Sequence, residues 1–474
     1  MGLTKRHKHG LFWFRRDLRT RDNVGFTRAM TSCEMVTCVF IFDTEILDKL
    51  TNKEDKRVVY IHRSLQEVDH FLQRMHSKLL VRIGSPRALI PEIVTGLNVD
   101  AVFTNEDYEP FAKARDQFVA QKLQEKGRLF FSFKDQVIFA KDEIRNGQGK
   151  PYKVFTPYKN KWISMLTPRM IRDMTFQHYN FTPYEKIKPL IKPWRLKDIG
   201  FEDSELMVEA GQDAAEARLS SFAKNLDLYQ QQRDFPAIEE GTSGLSVCLR
   251  FGTVSIRDCT RLAKSSRSKG AQTWLSELIW RDFYHMILDQ FPHVATHPFN
   301  EKYDGMVWPG TQAHFKRWCQ GMTGVPIVDA AMRCLNQTGW MHNRLRMIVA
   351  MFLTKDLLCD YRWGEAYFAE KLLDFDLAAN NGGWQWSAST GCDAQPYFRV
   401  FNPYTQSEKF DAQGDFIRRY CVELMHFPNK YIHHPAAAPL AIQKTSDCIV
   451  GKDYPAPIVD HSMQRKLAID LFKI

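Results

Sequence analysis

The chain has 474 residues, of which 44% are hydrophobic and 13% aromatic, and this composition fits a globular protein with two or more folding units. Lys and Arg outnumber Asp and Glu by 65 to 55, and the formal charge of +10 favours an anionic partner, nucleic acid above all. The ten Cys residues lack CxxC or zinc-type spacing, which fits a reduced cytosolic protein. The N-terminus lacks the apolar core of a secretory signal, and no apolar run reaches the about 18–20 residues of a membrane helix. We therefore expect a soluble, cytoplasmic protein, with a nuclear or organellar address as the alternative.

The first 135 residues alternate short β-like runs with helical patterns. The predicted strands are Leu11–Phe14, Met35–Phe42, Leu79–Arg82, Ala101–Phe103 and Leu129–Phe133, and the predicted helices between them are Lys56–Met75, Pro86–Thr95 and Ala112–Glu125. This alternation predicts an α/β, Rossmann-like, doubly wound parallel sheet over 1–135. No GxGxxG motif follows the first strand, so we do not expect a standard dinucleotide site in this domain.

The rest of the chain divides into a connector and a helical part. Residues 136–204 are rich in Pro, Lys and aromatic residues, which predicts a long connector wrapped on the surface. Apolar residues recur every three or four positions in Thr273–Asp289, Ile327–Leu335, Asn343–Leu358 and Gly364–Leu373. These patterns predict an all-α domain over 205–474.

The segment 374–386, DFDLAANNGGWQW, concentrates acids, amides, glycines and indoles. Asp374 and Asp376 follow an apolar helix end, and a buried carboxylate needs a positive partner or several donors. Gly382 and Gly383 allow close approaches that bulkier residues forbid. Taken alone, the segment is either a turn between helices with aromatic packing or the floor of a cofactor pocket.

Three further segments also carry two interpretations each. TSGLS at 242–246 is either a helix cap or a phosphate site. TGWMHNRLRM at 338–347 is either an ordinary amphipathic helix or a helix that binds a ligand. In the second case, Arg344 and Arg346 point to nearly opposite faces, and Asn343 and Met347 share one face that suits a base-like or flavin-like ring. WLSELIWRDFY at 274–284 is either a core stripe or a stacking surface for bases.

In their order along the chain, these segments closely resemble the DNA photolyase/cryptochrome family. The resemblance begins with LFWFRRDLRTRDN at 11–23 and YKVFTPYKNKW at 152–162, and it continues through YQQQRDFP at 229–236, EGTSGLS at 240–246 and WLSELIWRDFYH at 274–285. GVPIVDAAMRCLNQTGWMHNRLRM at 324–347, DLAANNGGWQWSAST at 376–390 and FNPYTQSEKFD at 401–411 complete it. It implies an α/β antenna domain, a long connector and a helical domain that binds FAD and DNA.

Within the family, the residues after Met341 indicate the lesion class. Members that repair (6-4) photoproducts usually carry adjacent histidines here, whereas this chain has His342 followed by Asn343. The motif resembles class I cyclobutane pyrimidine dimer photolyases, and the chain lacks the long tail typical of signalling cryptochromes. The alternatives are a blue-light signalling cryptochrome and a photolyase of another lesion class, (6-4) or single-strand-specific.

The resemblance implies roles residue by residue. One FAD is expected to be held by Tyr229, Thr242, Ser243, Gly244, Leu245, Ser246, Trp274, Asn343, Arg346, Asp374, Phe375, Asp376 and Asn380, with Arg346 paired to Asp374. Damaged DNA is expected to contact Arg233, Glu277, Trp280, Arg281, Tyr284, Asn343, Arg344, Met347 and Trp386. We expect the protein to act as a monomer and not to bind membranes.

The implied reaction is light-dependent repair. Excited, reduced FAD passes one electron to a flipped-out pyrimidine dimer, the cyclobutane ring splits, and the electron returns. Glu277 is expected to hydrogen-bond the dimer, and Asn380 to face the reactive edge of the flavin. Neither a nucleophile nor a metal is expected to take part.

The chain departs from the family pattern at three places. Trp384 and Trp308 match the inner and outer residues of the family's electron-transfer chain, but the middle position is Tyr361, which is harder to oxidise, so we expect impaired or rerouted photoreduction. The second chromophore is left open between deazaflavin, flavin, folate and none, because Tyr108-Glu109 is not followed by the Asn–Glu pair of folate-binding members. Gly244 stands where some members have Arg, so one phosphate contact is expected to be missing.

Overall fold

The structure is a computed structural model that describes residues 6–473. The predicted domains begin at Met1 and end at Ile474, and both of these outermost residues lie outside the described part. The chain forms two units: unit 1 consists of Met1–Ile144, Lys159–Leu226 and Ser243–Asp289, and unit 2 of Arg145–Tyr158, Asp227–Thr242 and Gln290–Ile474. Residues of the predicted connector occur in both units, and the division at 135 and 204 stays a prediction.

Unit 1 contains a five-stranded parallel sheet. Its strands are β1 (His7–Phe14), β2 (Cys33–Phe42), β3 (Leu80–Ile83), β4 (Ala101–Asn105) and β5 (Leu129–Phe133), in the order β3-β2-β1-β4-β5. In the central strand, Phe12 pairs with Cys38 on one side and with Phe103 on the other. Both faces of β1 are covered, so its residues from His9 to Phe14 are all buried, as a continuous apolar run predicts. The predicted doubly wound sheet is confirmed.

Helices make up most of the remaining chain. In chain order they are α1 (Val24–Ser32), α2 (Thr44–Leu47), α3 (Lys56–Arg74), α4 (Pro86–Gly96), α5 (Pro110–Gln124), α6 (Phe155–Met165), α7 (Tyr184–Ile187), α8 (Gln212–Asn225), α9 (Tyr229–Gln232), α10 (Ser246–Phe251), α11 (Ile256–Ser265), α12 (Lys269–Gln290), α13 (Gln312–Gln320), α14 (Pro326–Thr338), α15 (Asn343–Met351), α16 (Tyr361–Lys371), α17 (Leu377–Ala388), α18 (Pro403–Phe410), α19 (Asp415–Tyr420), α20 (Asn429–Ile432), α21 (Leu440–Thr445) and α22 (His461–Leu471). Unit 2 is helical, which confirms the predicted all-α part.

One predicted helix is shorter than expected. The apolar pattern predicts a single helix over Asn343–Leu358, but α15 ends at Met351 and a π-helical segment, Phe352–Asp356, follows. At this point the Trp318 indole donates to the carbonyl of Val349 (3.1 Å), and the Thr354 hydroxyl donates to that of Ala350 (2.9 Å). Side chains that bond carbonyls of the helical ladder widen the turn there.

The core of unit 2 lies around α14, α15, α16 and α17. Its fully buried residues include Trp318, Met341, Leu345 and Leu353, and Trp384 joins the same cluster. Of the segment 374–386, this core therefore includes Trp384, and Phe375 packs against it. Among residues 6–473, no helix is long and apolar enough to cross a membrane.

Candidate functional site

An ion pair in unit 2 connects the start of α15 with the loop before α17. Arg346 donates from Nη2 to Oδ2 of Asp374 (2.7 Å) and from Nε to the carbonyl of Met341 (2.8 Å). Only 2% of the Asp374 side chain is exposed. Its second oxygen, Oδ1, is buried and has no hydrogen-bond partner among residues 6–473. A buried acceptor without a donor is costly, so this oxygen is available to a ligand that carries O–H or N–H groups.

The same loop begins α17, which presents Asn380. Asp376 caps the helix by accepting from the backbone N–H groups of Ala378 (3.1 Å) and Ala379 (3.4 Å). One turn further on, the Asn380 amide donates to the backbone carbonyl of Glu365 in α16 (3.1 Å). Two neighbouring helices therefore fix the position of the Asn380 side chain.

Glu365 is an acidic side chain that the sequence analysis did not single out. It accepts a hydrogen bond from the amide of Asn381 (2.9 Å), and burial raises its pKa to about 7. The spacing of apolar residues, which predicts the amphipathic helices, does not indicate that Glu365 is buried. An isolated Glu in a helix usually faces solvent.

Trp384, the expected inner electron carrier, lies in an apolar environment. Its ring centroid is 5.0 Å from that of Phe368 and 6.0 Å from that of Trp318. The backbone of Gly364 packs directly against the far edge of the indole. The indole Nε1 is buried without a hydrogen-bond partner in the described part of the chain.

Tyr361 and Trp308, the other two expected carriers, contact each other. Their ring centroids are 6.4 Å apart, and Phe472 covers Trp308 at 5.8 Å. Tyr361 is buried at the start of α16, and this burial raises the pKa of its phenol. Because α16 also carries Gly364 and Phe368, one helix supports both Tyr361 and the ring of Trp384.

The opposite side of α15 carries a second charged group. Arg344 pairs with Asp234 (2.9 Å), which also lies 3.8 Å from the guanidinium of Arg233. The Arg344 guanidinium is 4.3 Å from the ring centroid of Phe410. The sequence analysis missed Asp234 and Phe410, although an acid directly after Arg233 is a signal of charge pairing.

His342 begins α15 and is buried. Its Nδ1 accepts from the backbone N–H of Arg344 (3.1 Å), so it serves as the helix cap. Burial lowers the pKa of His342 to about 4, which keeps the imidazole neutral. In the first turn of the helix, Asn343 Nδ2 lies 3.8 Å from Met347 Sδ, so these two side chains share a face as the spacing predicts.

In unit 1, the aromatic stripe of α12 divides into a buried and a partly exposed part. Trp274 is buried and packs on Phe222 of α8 at 4.8 Å. Trp280 and Tyr284 lie one turn apart with ring centroids separated by 5.4 Å, and both are partly exposed. Glu277 lies between these two parts of the stripe and is also partly exposed.

The next residues of α12 anchor it to other parts of unit 1. Arg281 donates to the carbonyl of Gln136. Asp282 accepts from the backbone N–H groups of Ile138 and Phe139 (3.1 Å each) and from the indole of Trp162 (3.0 Å). The sequence analysis missed Asp282, whose only signal was an acid on an otherwise apolar helix face.

The remaining predicted FAD residues are divided between the two units. In unit 1, Gly244 has a φ of +60°, and the Ser243 hydroxyl accepts from the backbone N–H of Leu245 (3.4 Å) just before Ser246 begins α10. In unit 2, Tyr229 is buried, and its ring centroid lies 5.4 Å from the guanidinium of Arg233. Thr242 is the last residue of the stretch Asp227–Thr242 of this unit. Phe375, also predicted to bind FAD, is partly buried, and so is Trp386, which was expected to contact DNA.

Charged and aromatic side chains also lie at the carboxyl ends of the strands of unit 1. Asp43, which follows β2, is 3.9 Å from Arg115 of α5. The guanidinium groups of Arg15 and Arg115 lie 4.9 and 5.0 Å from the ring centre of Trp13. Charged and aromatic groups therefore meet at this edge.

Comparisons with known proteins agree with this arrangement. A family model for DNA photolyase matches residues 10–175, and one for the FAD binding domain of DNA photolyase matches residues 274–474. A deoxyribodipyrimidine photo-lyase of Vibrio cholerae is 41% identical over 98% of this chain and 99% of its own length. The chain belongs to the DNA photolyase family. The fold and the FAD-binding domain that the motifs indicated are those of this family.

Solved structures of the photolyase family extend the similarity to three dimensions. A class III photolyase from Agrobacterium tumefaciens matches with a TM-score of 0.89 at 32% identity, covering 98% of this chain and 97% of that one. A photolyase from Sulfolobus tokodaii, solved with two FAD molecules, matches with a TM-score of 0.84 at 34% identity, covering 98% and 99%. The family likeness therefore spans nearly the whole chain.

Proposed function

We propose that this protein repairs cyclobutane pyrimidine dimers in DNA by light-driven electron transfer from FAD. The observation that carries the proposal is the arrangement of α15. Arg346 points to the buried Asp374 on one side of this helix, and Arg344 points to Asp234 on the other. One helix can thus serve a buried cofactor with one face and DNA phosphates with the other.

The residues of unit 2 fit FAD. The unpaired Oδ1 of Asp374 suits a cofactor rich in hydroxyl and N–H donors, and Asn380 offers an amide held by α16. We assign to FAD binding the residues that the family resemblance implied, which are Tyr229, Thr242, Ser243, Gly244, Leu245, Ser246, Trp274, Asn343, Arg346, Asp374, Phe375, Asp376 and Asn380. Bound FAD supplies light absorption and one-electron chemistry.

The DNA-facing roles follow from charge and exposure. Arg233 and Arg344 both lie beside Asp234, and their guanidinium groups are of the kind that binds DNA phosphates. Trp280 and Tyr284 form a partly exposed aromatic pair on which an extruded base can stack. Glu277, Arg281, Asn343, Met347 and Trp386 are assigned to the lesion or its neighbours.

Electron supply to the cofactor is assigned to the aromatic residues of unit 2. Trp384, Tyr361 and Trp308 are proposed to deliver an electron from the protein surface. The contact between Tyr361 and Trp308 supports the outer step of this path. Because the buried phenol of Tyr361 must lose its proton when oxidised, this step is expected to be slower than with Trp.

The test measures light-dependent repair by the reduced, FAD-loaded protein. Oligonucleotides with one cyclobutane dimer or one (6-4) photoproduct are incubated under blue light and in the dark, and restored bases are quantified. We expect repair of the cyclobutane dimer in light only. Binding without repair would favour a signalling receptor, and repair of the (6-4) lesion alone would overturn the lesion class.

The role of Glu277 is tested in the same assay. Glu277→Gln should lower the repair yield, whereas Glu202→Gln, at an exposed position of unit 1, should not. If Glu277→Gln leaves both dimer binding and repair yield unchanged, the proposed role is wrong.

A further inference from the structure

A guanidinium from α8 occupies the space above the glycine of the segment 242–246. A β-carbon added to Gly244 would stand 2.5 Å from Nη1 and 3.5 Å from Cζ of Arg218. The first distance is far below an ordinary contact of about 3.5–4.0 Å. Any larger residue at position 244 would therefore displace Arg218. Both residues belong to unit 1.

Arg218 has no counter-ion in the described part of the chain. It is partly buried and makes no hydrogen bond or ion pair with any of residues 6–473. Its electrostatic neighbours are the phenol of Tyr60 and the thiol of Cys248, and burial raises the pKa of both, so both are uncharged. A partly buried guanidinium without a carboxylate is a strong binding group for an anion.

The next turn of α8 contacts another residue assigned to FAD. Phe222 follows Arg218 by four positions, so the two side chains share a face of the helix. Phe222 packs on Trp274 at 4.8 Å. One face of α8 therefore meets both Gly244 and Trp274, although α8 lies outside the stretch matched by the FAD-binding model.

We propose that Arg218 binds the pyrophosphate of FAD. This inference rests on the proposed assignment of Ser243–Ser246 to FAD binding, with the segment 242–246 as a phosphate site rather than only a helix cap. The planar fork of a guanidinium can donate two parallel hydrogen bonds to phosphate oxygens. Arg218 thereby supplies the positive contact that the glycine at position 244 was expected to remove, and it discriminates FAD from flavins without a pyrophosphate.

The experiment compares dissociation constants of the FAD-free protein for FAD and for riboflavin, measured by flavin fluorescence. Arg218→Gln should weaken FAD binding by about tenfold or more, the effect expected for a charge-assisted hydrogen bond. Riboflavin binding should change less than about twofold, because riboflavin carries no phosphate. The FAD constant of the wild-type protein should also rise more steeply with salt than that of the variant.

Lys224→Gln is the matched control, because Lys224 is an exposed cation on the same helix and the substitution removes the same charge. It should leave both constants unchanged. Arg218→Lys keeps the positive charge but not the planar guanidinium, so it should weaken FAD binding less than Arg218→Gln does. It replaces Arg218→Gln as the test variant if Arg218→Gln melts at a lower temperature than the wild-type protein.

The outcomes separate this inference from the proposed function. Wild-type affinity for FAD in both Arg218 variants, or equal weakening of FAD and riboflavin, overturns the pyrophosphate contact and leaves the repair function standing. A wild-type protein that binds no FAD overturns both. A wild-type protein that binds FAD but repairs no dimer in light overturns only the proposed function.

Discussion

Gly364→Ala tests the packing around Trp384. A β-carbon at position 364 would stand 2.5 Å from Cζ3 of Trp384, closer still to Cη2, and 2.6 Å from Cδ2 of Leu353. Carbon atoms in cores normally lie about 3.5–4.0 Å apart, so the indole would have to retreat by roughly 1 Å or more. Phe368 and Trp318 pack against the same ring and oppose this movement.

The expected cost follows from two opposing effects. Overpacking a core costs about 1–3 kcal/mol, whereas Ala in place of Gly inside a helix stabilises by about 1 kcal/mol. We expect a net destabilisation of up to about 2 kcal/mol, measured as the change in free energy of urea unfolding. Displacement of the indole should also slow photoreduction of bound FAD under blue light, measured by absorbance.

A double-mutant cycle isolates the contact. Trp384→Phe removes the part of the ring that the new methyl group strikes, so Gly364→Ala should cost less in that background. Gly96→Ala is the control, since nothing lies within 4 Å of a β-carbon at this helix end, and it should change stability by less than about 0.5 kcal/mol. An equal cost of Gly364→Ala in both backgrounds would refute the packing argument.

Three further predictions concern unit 2. Asp374→Asn breaks the ion pair with Arg346 and should lower the free energy of urea unfolding by about 3 kcal/mol. This is the low end for a buried pair, because 27% of the Arg346 side chain is exposed. A decrease below about 1 kcal/mol would contradict this prediction. Burial lowers the pKa of His342 from 6.5 to about 4, so the unfolded state binds a proton before the folded state does. The free energy of unfolding should therefore fall by about 3 kcal/mol as the pH drops from 6.5 to 4. His342→Asn keeps a capping side chain and should reduce this pH dependence, and an unchanged pH dependence would exclude His342 as its source. Tyr361→Trp should speed the photoreduction of bound FAD, and Tyr361→Phe should slow it. Neither variant should affect repair by protein that has been reduced beforehand. A normal Trp radical yield in Tyr361→Phe, recorded by transient absorption, would exclude a direct role for Tyr361.

The secondary structure followed closely from local patterns. The strand Leu129–Phe133 has the bounds that its apolar and aromatic run predicted, and α3 differs from its prediction by one residue. The predicted helix over Asn343–Leu358 failed only where the distant Trp318 bonds the carbonyl of Val349. Periodicity describes a segment's own preference and contains no information about such a donor.

Pairings across the chain were less accessible. The indole of Trp162 donates a hydrogen bond to Asp282, which lies 120 positions further along the chain. Neither the residue types nor their spacing predicts that these two side chains meet. Glu365, whose backbone carbonyl accepts from the Asn380 amide, was missed for the same reason. Asp234, which pairs with Arg344, was missed although its position directly after Arg233 was a signal of charge pairing.

The sequence by itself determined the family, the alternation of strands and helices, and the residue types gathered in 374–386, because these are encoded in order, spacing and composition. The family resemblance gave the pairing of Arg346 with Asp374 in advance, and the ion pair is present. Only the tertiary structure decided which other groups meet, such as Trp384 with Trp318 and Arg218 above Gly244. Burial makes these contacts strong, and burial depends on the path of the whole chain rather than on any one segment.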